Sequence, residues 1–334
     1  MGVWLGVSLI GFVLLVCFLL AKNILWPGKP KRNIQNKHVV VTGGSSGIGK
    51  AAALIAARMG AHVTIIARDI KKLKVARNEI VEACLDKDTQ KVEFLSLDVG
   101  ESYENVEKAF NEMEKSMGPI YMLINCAGTA ICGKIEDTRS EDLNHMINLN
   151  LIGTYNCIKA VVPKMKSSRD GIIVITSSLA AFLGIFGYSA YCCTKFALRG
   201  LAESIAMELR PYNVSVTLNL PPDTDTPGFA VEELSKPLET KLISSSNELV
   251  KPEVVAEGLI QDALSEKFFS TVGFDGFILT VLCSGMSPFA SIFDLILQSI
   301  LMGPLRLVGA CYLISFRKTI ENCMKTRDKN KKSK

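Results

Sequence analysis

HVVVTGGSSGIGK, residues His38–Lys50, is the stretch whose reading decides the fold. His38–Val41 is a β-branched apolar run suited to a buried parallel strand. Thr42–Gly49 is a glycine and serine turn, and Ile48–Met59 has the alanine-rich pattern of a following helix. Gly43 and Gly47 permit unusual φ and close backbone approach, while Gly49 allows tight packing of helix on strand. The helix N-terminus then faces an anion, so the unit is expected to bind the pyrophosphate of a dinucleotide. The same residues fit the G-x-S-x-G pattern of a hydrolase nucleophile elbow. A hydrolase of that kind needs a late histidine after a strand end. Only His62 and His145 follow, and neither lies there.

Further along, apolar runs alternate with helical patterns. Strands are expected at His62–Ala67, Lys91–Asp98, Tyr121–Asn125, Gly171–Ser177, Ser215–Leu220 and Phe268–Gly273. Helices are expected at Ile70–Leu85, Tyr103–Met117, Leu143–Lys166 and Ser189–Leu209. Such alternation implies right-handed crossovers and an α/β fold, a Rossmann-type doubly wound parallel sheet, over residues 36–275.

The ends of the chain differ from that body. Val3–Ala21 is an uncharged apolar run of nearly spanning length, followed by Lys22, Lys29, Lys31, Arg32 and Lys37. A cleaved signal peptide competes, but no basic n-region or clear cleavage site accompanies it, and residues 1–22 are expected to be a retained transmembrane anchor. Residues 276–316 hold the apolar stretches Phe277–Ser284 and Ile292–Phe316, interrupted by Ser287-Pro288, Asp294, Gly303-Pro304 and Arg306. They read as membrane-associated, whether as a hairpin, a re-entrant pair or a surface-lying region, with burial in an oligomer interface as the soluble alternative. Residues 317–334 form a basic tail carrying eight Lys or Arg against Glu321 and Asp328. Since the whole chain is formally +5, the body is nearly neutral, which excludes a nucleic-acid surface. The tail ends Lys331-Lys332-Ser333-Lys334, similar to a di-lysine retrieval signal of endoplasmic reticulum membrane proteins. Ten cysteines without C-x-x-C spacing suggest reduced thiols in a cytosol-facing domain and no metal site.

Two positions speak to the cofactor. The second strand ends in Ala67-Arg68-Asp69, where a dinucleotide fold meets the adenosine ribose. Arginine there suits a 2′-phosphate, so NADPH/NADP+ is expected, with Lys72 adding a second cation and Ser45 a hydrogen bond. Ser46, at the helix start, joins Gly43, Gly47 and Gly49 among the cofactor-binding candidates. Asp98 can accept from the adenine amine or merely cap the next loop.

Tyr191-Cys192-Cys193-Thr194-Lys195 puts tyrosine and lysine on one helix face. A nearby ammonium is expected to lower the phenol's pKa. Ser177-Ser178 closes the fifth strand at the same edge, and Ser178 is spaced to reach the same carbonyl oxygen as Tyr191.

With Thr42-Gly43 through Gly49, Asn125-Cys126-Ala127-Gly128, Asn150, Ser177-Ser178, Tyr191 and Lys195 assembled, residues 38 to 265 resemble the short-chain dehydrogenase/reductase family. The resemblance implies hydride transfer from nicotinamide to a carbonyl, with Tyr191 as proton donor and Lys195 holding the nicotinamide ribose. A serine of the pair would orient the substrate oxygen, Asn150 would support a proton-relay water, and Asn125 would lie against the cofactor. Asn-Cys-Ala-Gly departs from the family's usual Asn-Asn-Ala-Gly. A narrower resemblance, at Pro221–Phe229 and Lys236–Thr240, is to members that reduce a long-chain keto-sphingoid lipid at the endoplasmic reticulum membrane, with the catalytic domain in the cytosol. Microsomal hydroxysteroid or retinol dehydrogenases share the catalytic residues and stand as the alternative. A catalytically silent scaffold or nucleotide sensor would be expected to lack one of Ser178, Tyr191 and Lys195. Family resemblance also implies a homodimer through Leu143–Lys166 and Ser189–Leu209. The Pro-rich segment Pro221–Pro237, which follows a strand end at the active-site edge, is the candidate lid.

Overall fold

Seven apolar runs form the strands of one parallel sheet: β1 His38–Thr42, β2 His62–Ala67, β3 Val92–Ser96, β4 Ile120–Asn125, β5 Gly171–Thr176, β6 Val214–Leu220 and β7 Phe269–Thr271. The computed structural model describes residues 31–244 and 249–332. The expected anchor at 1–22 therefore lies outside the described residues, as do Ser333 and Lys334 of the basic terminus. Strand order is β3-β2-β1-β4-β5-β6-β7, so the winding reverses between β1 and β4. That reversal opens a crevice at the strands' C-terminal edge, where this class of sheet binds ligands.

Crossover helices cover both faces. They are α1 Gly47–Arg58, α2 Ile70–Glu82, α3 Tyr103–Met117, α4 Ser140–Met146, α5 Gly153–Ser168 and α6 Ser189–Leu209. The central strands are buried on both sides, which is why β1 and β4 read as continuous apolar runs. One core is built on Phe110, Leu123, Ile173 and Leu218. The other, on the opposite face, is built on Val39, Ile65, Ile124 and the alanines of α1.

The expected helix Leu143–Lys166 is interrupted. Ile147–Ile152 forms a π-turn between α4 and α5, and Asn150 sits inside it. Such turns often mark functional sites, because the widened ladder redirects one side chain.

Beyond β6, the segment Pro221–Pro237 expected as a Pro-rich lid contains one short helix, α7 Pro227–Ser235, and is followed by α8 Leu238–Ser244 and α9 Pro252–Leu264. Thr226 caps α7 by accepting from the Phe229 amide at 3.1 Å.

The C-terminal apolar stretches separate into α10 Gly273–Leu282 and α11 Ile292–Lys332. At ten residues α10 spans about 15 Å, half the hydrocarbon thickness, so a hairpin of two full spans is not formed. Ile278 and Val281 of α10 are buried in the domain instead. In α11 the described part of the basic tail continues the apolar helix without a break. Ser291 and Asp294 cap its start reciprocally, at 2.6 and 3.1 Å, which explains a carboxylate beside an apolar run.

Arg199 of α6 fixes the α10–α11 connection. It donates to the Cys283 carbonyl at 2.7 Å and the Ser287 hydroxyl at 3.0 Å, and stacks on Phe182. At the other edge of the sheet, Arg32 ties the segment leading into β1 to Glu266, Asp170 and the carbonyls of Gly171 and Asn213.

Candidate active site

The glycine turn meets the structural demands expected of a dinucleotide cradle. Gly43 has φ +67°, and a Cβ there would lie 2.8 Å from the backbone of Cys126 and Ala127. At Gly49 a Cβ would approach the Gly43 carbonyl oxygen to 2.5 Å. Ser46 is the N-cap of α1 but makes no side-chain cap bond, and no acidic residue stands in the first turn. The leading amides are thus uncapped by side chains and available to an anion. The hydrolase arrangement does not form. His62 begins β2, at the strand edge opposite the glycine turn, and its ring receives the Lys91 amide.

At the end of β2, Arg68 is 58 % exposed and lies 3.5 Å from Asp98. Asp98 also accepts from the Gly100 amide at 2.9 Å. Asp69 is occupied otherwise: it caps α2 by accepting from the amides of Lys71 and Lys72. The carboxylate best placed in sequence for a ribose hydroxyl is therefore engaged in the backbone, while the Arg68 guanidinium, beside Asp98, is exposed at the tip of β2. Lys72 stands in the first turn of the same helix, exposed.

Asn125 is not brought to the crevice. It is buried within β4 and donates to the Val174 carbonyl at 3.2 Å, so its side chain braces β4 against β5. Its Oδ1 is left without a hydrogen-bond partner among the described residues. Asn150, fully buried, accepts from the Thr129 amide at 2.8 Å and donates to the Thr129 carbonyl and the Thr194 hydroxyl. It joins the loop after β4 to α6, one residue before Lys195. Thr129 and Thr194 carry no signal in the sequence, because their partner is distant along the chain.

The serine pair divides its work. Ser177 is buried and donates to the Lys195 carbonyl at 3.0 Å, holding the helix turn that carries the lysine. Ser178 faces the cavity, accepts from the Ala180 amide at 3.1 Å, and lies within hydrogen-bonding reach of the Tyr191 phenol. Lys195 is 6 % exposed; its ammonium donates to the Thr176 carbonyl at 3.2 Å and lies 5.5 Å from the Tyr191 ring centre. Burial lowers the Lys195 pKa to about 8, with Cys126 and Glu232 opposing the shift.

Expectation and structure differ at Tyr191. Rather than being drawn down by Lys195, its pKa is pushed well up, first by burial and then by the charge of Glu232. Ser178 acts in the opposite sense, and Asp223 adds to the rise. The phenol is thus neutral, the state in which it carries a proton to give to a carbonyl oxygen. Nothing in the sequence marked Glu232, which reaches the site through the packing of α7 within the segment expected as a lid.

Ser178, Tyr191 and Lys195 open on one cavity of about 560 Å³. Its polar end also holds Tyr188, Asp223 and Glu232. From there it runs under α10 and α11 between Leu279, Leu282, Leu313 and Phe316. A hydrogen-bonding end thus continues into a mainly apolar channel, to whose α10 and α11 wall Asp275, Arg306 and Tyr312 also contribute, suited to a carbonyl compound with a long hydrocarbon part.

The sequence profile of the short chain dehydrogenases matches residues 37–236. The 3-ketodihydrosphingosine reductase of Bos taurus is 43% identical over 322 residues, covering 96% of both chains. The 3-dehydrosphinganine reductase of Danio rerio is 43% identical over 323 residues, covering 97% of this chain and 96% of its own. Among solved structures, a short-chain dehydrogenase from Sphingobium yanoikuyae in complex with NADPH is similar at a TM-score of 0.62 and 25% identity, covering 70% of this chain and 87% of that one.

Proposed function

The chain belongs to the short-chain dehydrogenase family, and we propose that it reduces 3-ketodihydrosphingosine to dihydrosphingosine with NADPH at a membrane surface. The observation that carries this reading is the single cavity joining Ser178 and Tyr191 to an apolar channel beneath α10 and α11. Near-complete coverage by relatives named for that reaction supports the same substrate.

Bound NADPH supplies the hydride that converts the ketone carbon to an alcohol carbon. The protein's own groups do the rest. Tyr191 gives its proton to the ketone oxygen as negative charge develops there. Ser178 donates a hydrogen bond to the same oxygen, stabilising that charge. Lys195, cationic below a pH of about 8, adds positive potential beside the phenol and a donor for the nicotinamide ribose. Asn150 and Ser177 keep the lysine's helix turn in register with the strand ends. Arg68, Lys72 and Ser45 would hold the 2′-phosphate, and the amides of Gly47–Gly49 with Ser46 the pyrophosphate. The engagement of Asp69 in capping α2 and the exposed guanidinium of Arg68 support NADPH over NADH.

A long-chain ketone partitions into the bilayer, so the enzyme must meet it there. α11 is long and apolar enough to cross a membrane by length and composition, and it bears exposed Ile300, Leu307, Leu313 and Ile314. This supports docking of the reductase domain on the cytosolic face of the endoplasmic reticulum, with residues 1–22 as a further anchor and the lysine-rich terminus as a retrieval signal. Pairing of two copies through α5 and α6 is the dimer this reading favours.

The test is product formation. Membranes containing the protein, given NADPH and 3-ketodihydrosphingosine, are expected to yield dihydrosphingosine, with steroid ketones and retinal turned over poorly. No dihydrosphingosine from verified folded protein, or preferential turnover of a steroid or retinoid, would overturn the assignment.

A further inference from the structure

Reduction of a ketone uses Ser178, Tyr191 and Lys195, yet the polar end of the cavity holds two further ionisable groups, Asp223 and Glu232. Glu232 accepts from the Tyr188 hydroxyl and pairs with Lys236 at 3.1 Å. Lys236, its side chain wholly buried, also pairs with Glu233 at 2.5 Å and lies 3.9 Å from Asp223. Asp223 in turn accepts from the Ser244 hydroxyl at 2.6 Å. One cation thus serves three carboxylates, two of which face the cavity. Glu232 is the least exposed of the three, at 13 % against 33 % for Asp223 and 37 % for Glu233, so its charge is the one that burial makes costly unless a further cation compensates it.

The position of this charge is specific. Tyr188 packs against Tyr191 with ring centres 5.4 Å apart and planes tilted by 44°, so its partner Glu232 stands one residue's breadth from the candidate proton donor. In 3-ketodihydrosphingosine the amine is on the carbon next to the ketone. Once the ketone oxygen is held by Ser178 and Tyr191 and the hydrocarbon lies along α10 and α11, the ammonium must meet the wall at the polar end.

Resting on the sphingoid reading of the site, we propose that Glu232, backed by Asp223, binds this ammonium and so selects 2-amino ketones over other long-chain ketones. Glu232 is then a specificity-determining residue, and the tail channel alone does not define the substrate.

The experiment compares two ketones of equal chain length on the full-length protein in detergent micelles: 3-ketodihydrosphingosine and its analogue lacking the amine. Wild type is expected to favour the amino ketone in kcat/KM by roughly ten- to hundredfold, the range of a charge-assisted hydrogen bond. In Glu232→Gln this ratio should collapse towards unity, and in Asp223→Asn it should fall part of the way. The ratio is the proper readout, because removing the Glu232 charge also alters Tyr191, which affects both ketones alike. A wild-type ratio near unity, or an equal loss on both ketones in Glu232→Gln, would overturn the proposal while leaving the reductase assignment standing. If Glu232→Gln fails to fold, the wild-type ratio and Asp223→Asn decide. Turnover of neither ketone by wild type would instead sink the substrate reading itself.

Discussion

Ser177 donates its hydroxyl to the backbone carbonyl of Lys195 across 3.0 Å, so the end of β5 and the reactive turn of α6 are one mechanical unit. The neighbouring Ser178 points the other way, into the cavity with Tyr191. Two adjacent serines therefore have separable effects. Ser177→Ala should lower stability by about 1–3 kcal/mol through the lost buried hydrogen bond, with the smaller loss in kcat. Ser178→Ala should lower kcat by roughly 100- to 1000-fold, with the smaller loss in melting temperature. Thermal melts beside steady-state kinetics check both, and a reversed pattern would reassign the pair.

Arg68 governs the choice of cofactor in this account. It is exposed at the tip of β2, and Asp69 beside it is engaged in capping α2. Arg68→Ala should raise KM for NADPH by roughly 10- to 100-fold, the worth of a charge-assisted contact to phosphate, and leave NADH little changed. Equal effects on the two coenzymes would remove Arg68 from the 2′-phosphate site.

Much of this arrangement was legible in the sequence because it is local. The run His38–Thr42 and the glycines after it specify strand, turn and helix within a dozen residues, and Tyr191 and Lys195 share a helix face by spacing alone. What was not legible depends on residues far apart. Asn125 braces β5 rather than facing the crevice, which only the pairing of β4 with β5 determines. The π-turn at Asn150 widens a helix whose apolar pattern looks uninterrupted. α9 went unread although Pro252 at its first position is a helix-start signal and it buries Val255, Leu259 and Ile260. The upward shift of Tyr191 also escaped, since Glu232 reaches the site only through the packing of α7.

The buried lysine makes a pH-dependent prediction. Folding lowers the Lys195 pKa from 10.5 to about 8. Below a pH of about 8 the group is charged in both states, and its burial penalty is fully present. Between about 8 and 10.5 the unfolded chain holds a proton that the folded one has lost, so this residue's contribution to stability rises with pH. The melting temperature of the wild type should therefore gain on that of Lys195→Met across this window, with the two differing by a constant amount below it. A difference that narrows as pH rises would contradict the sign.

The apolar channel should be blockable without touching the chemistry. A Cβ at Gly309 of α11 would approach Leu282 of α10 to 3.0 Å, so a larger side chain must intrude on the lining. Gly309→Phe should raise KM for the full-length sphingoid ketone by about 10-fold or more, the scale of overpacking an apolar site, with short-chain ketones little affected. Equal effects on long and short ketones would mean that the tail does not lie between α10 and α11.

The central claim is that Tyr191 gives the proton in an NADPH-dependent reduction of a sphingoid ketone. Its most direct test follows NADPH oxidation with 3-ketodihydrosphingosine by wild type and Tyr191→Phe, with NADPH binding measured on both. The account predicts turnover by wild type, a loss in kcat of roughly 100-fold or more in the variant, and unchanged cofactor affinity. A variant that binds NADPH and turns over at the wild-type rate would contradict it.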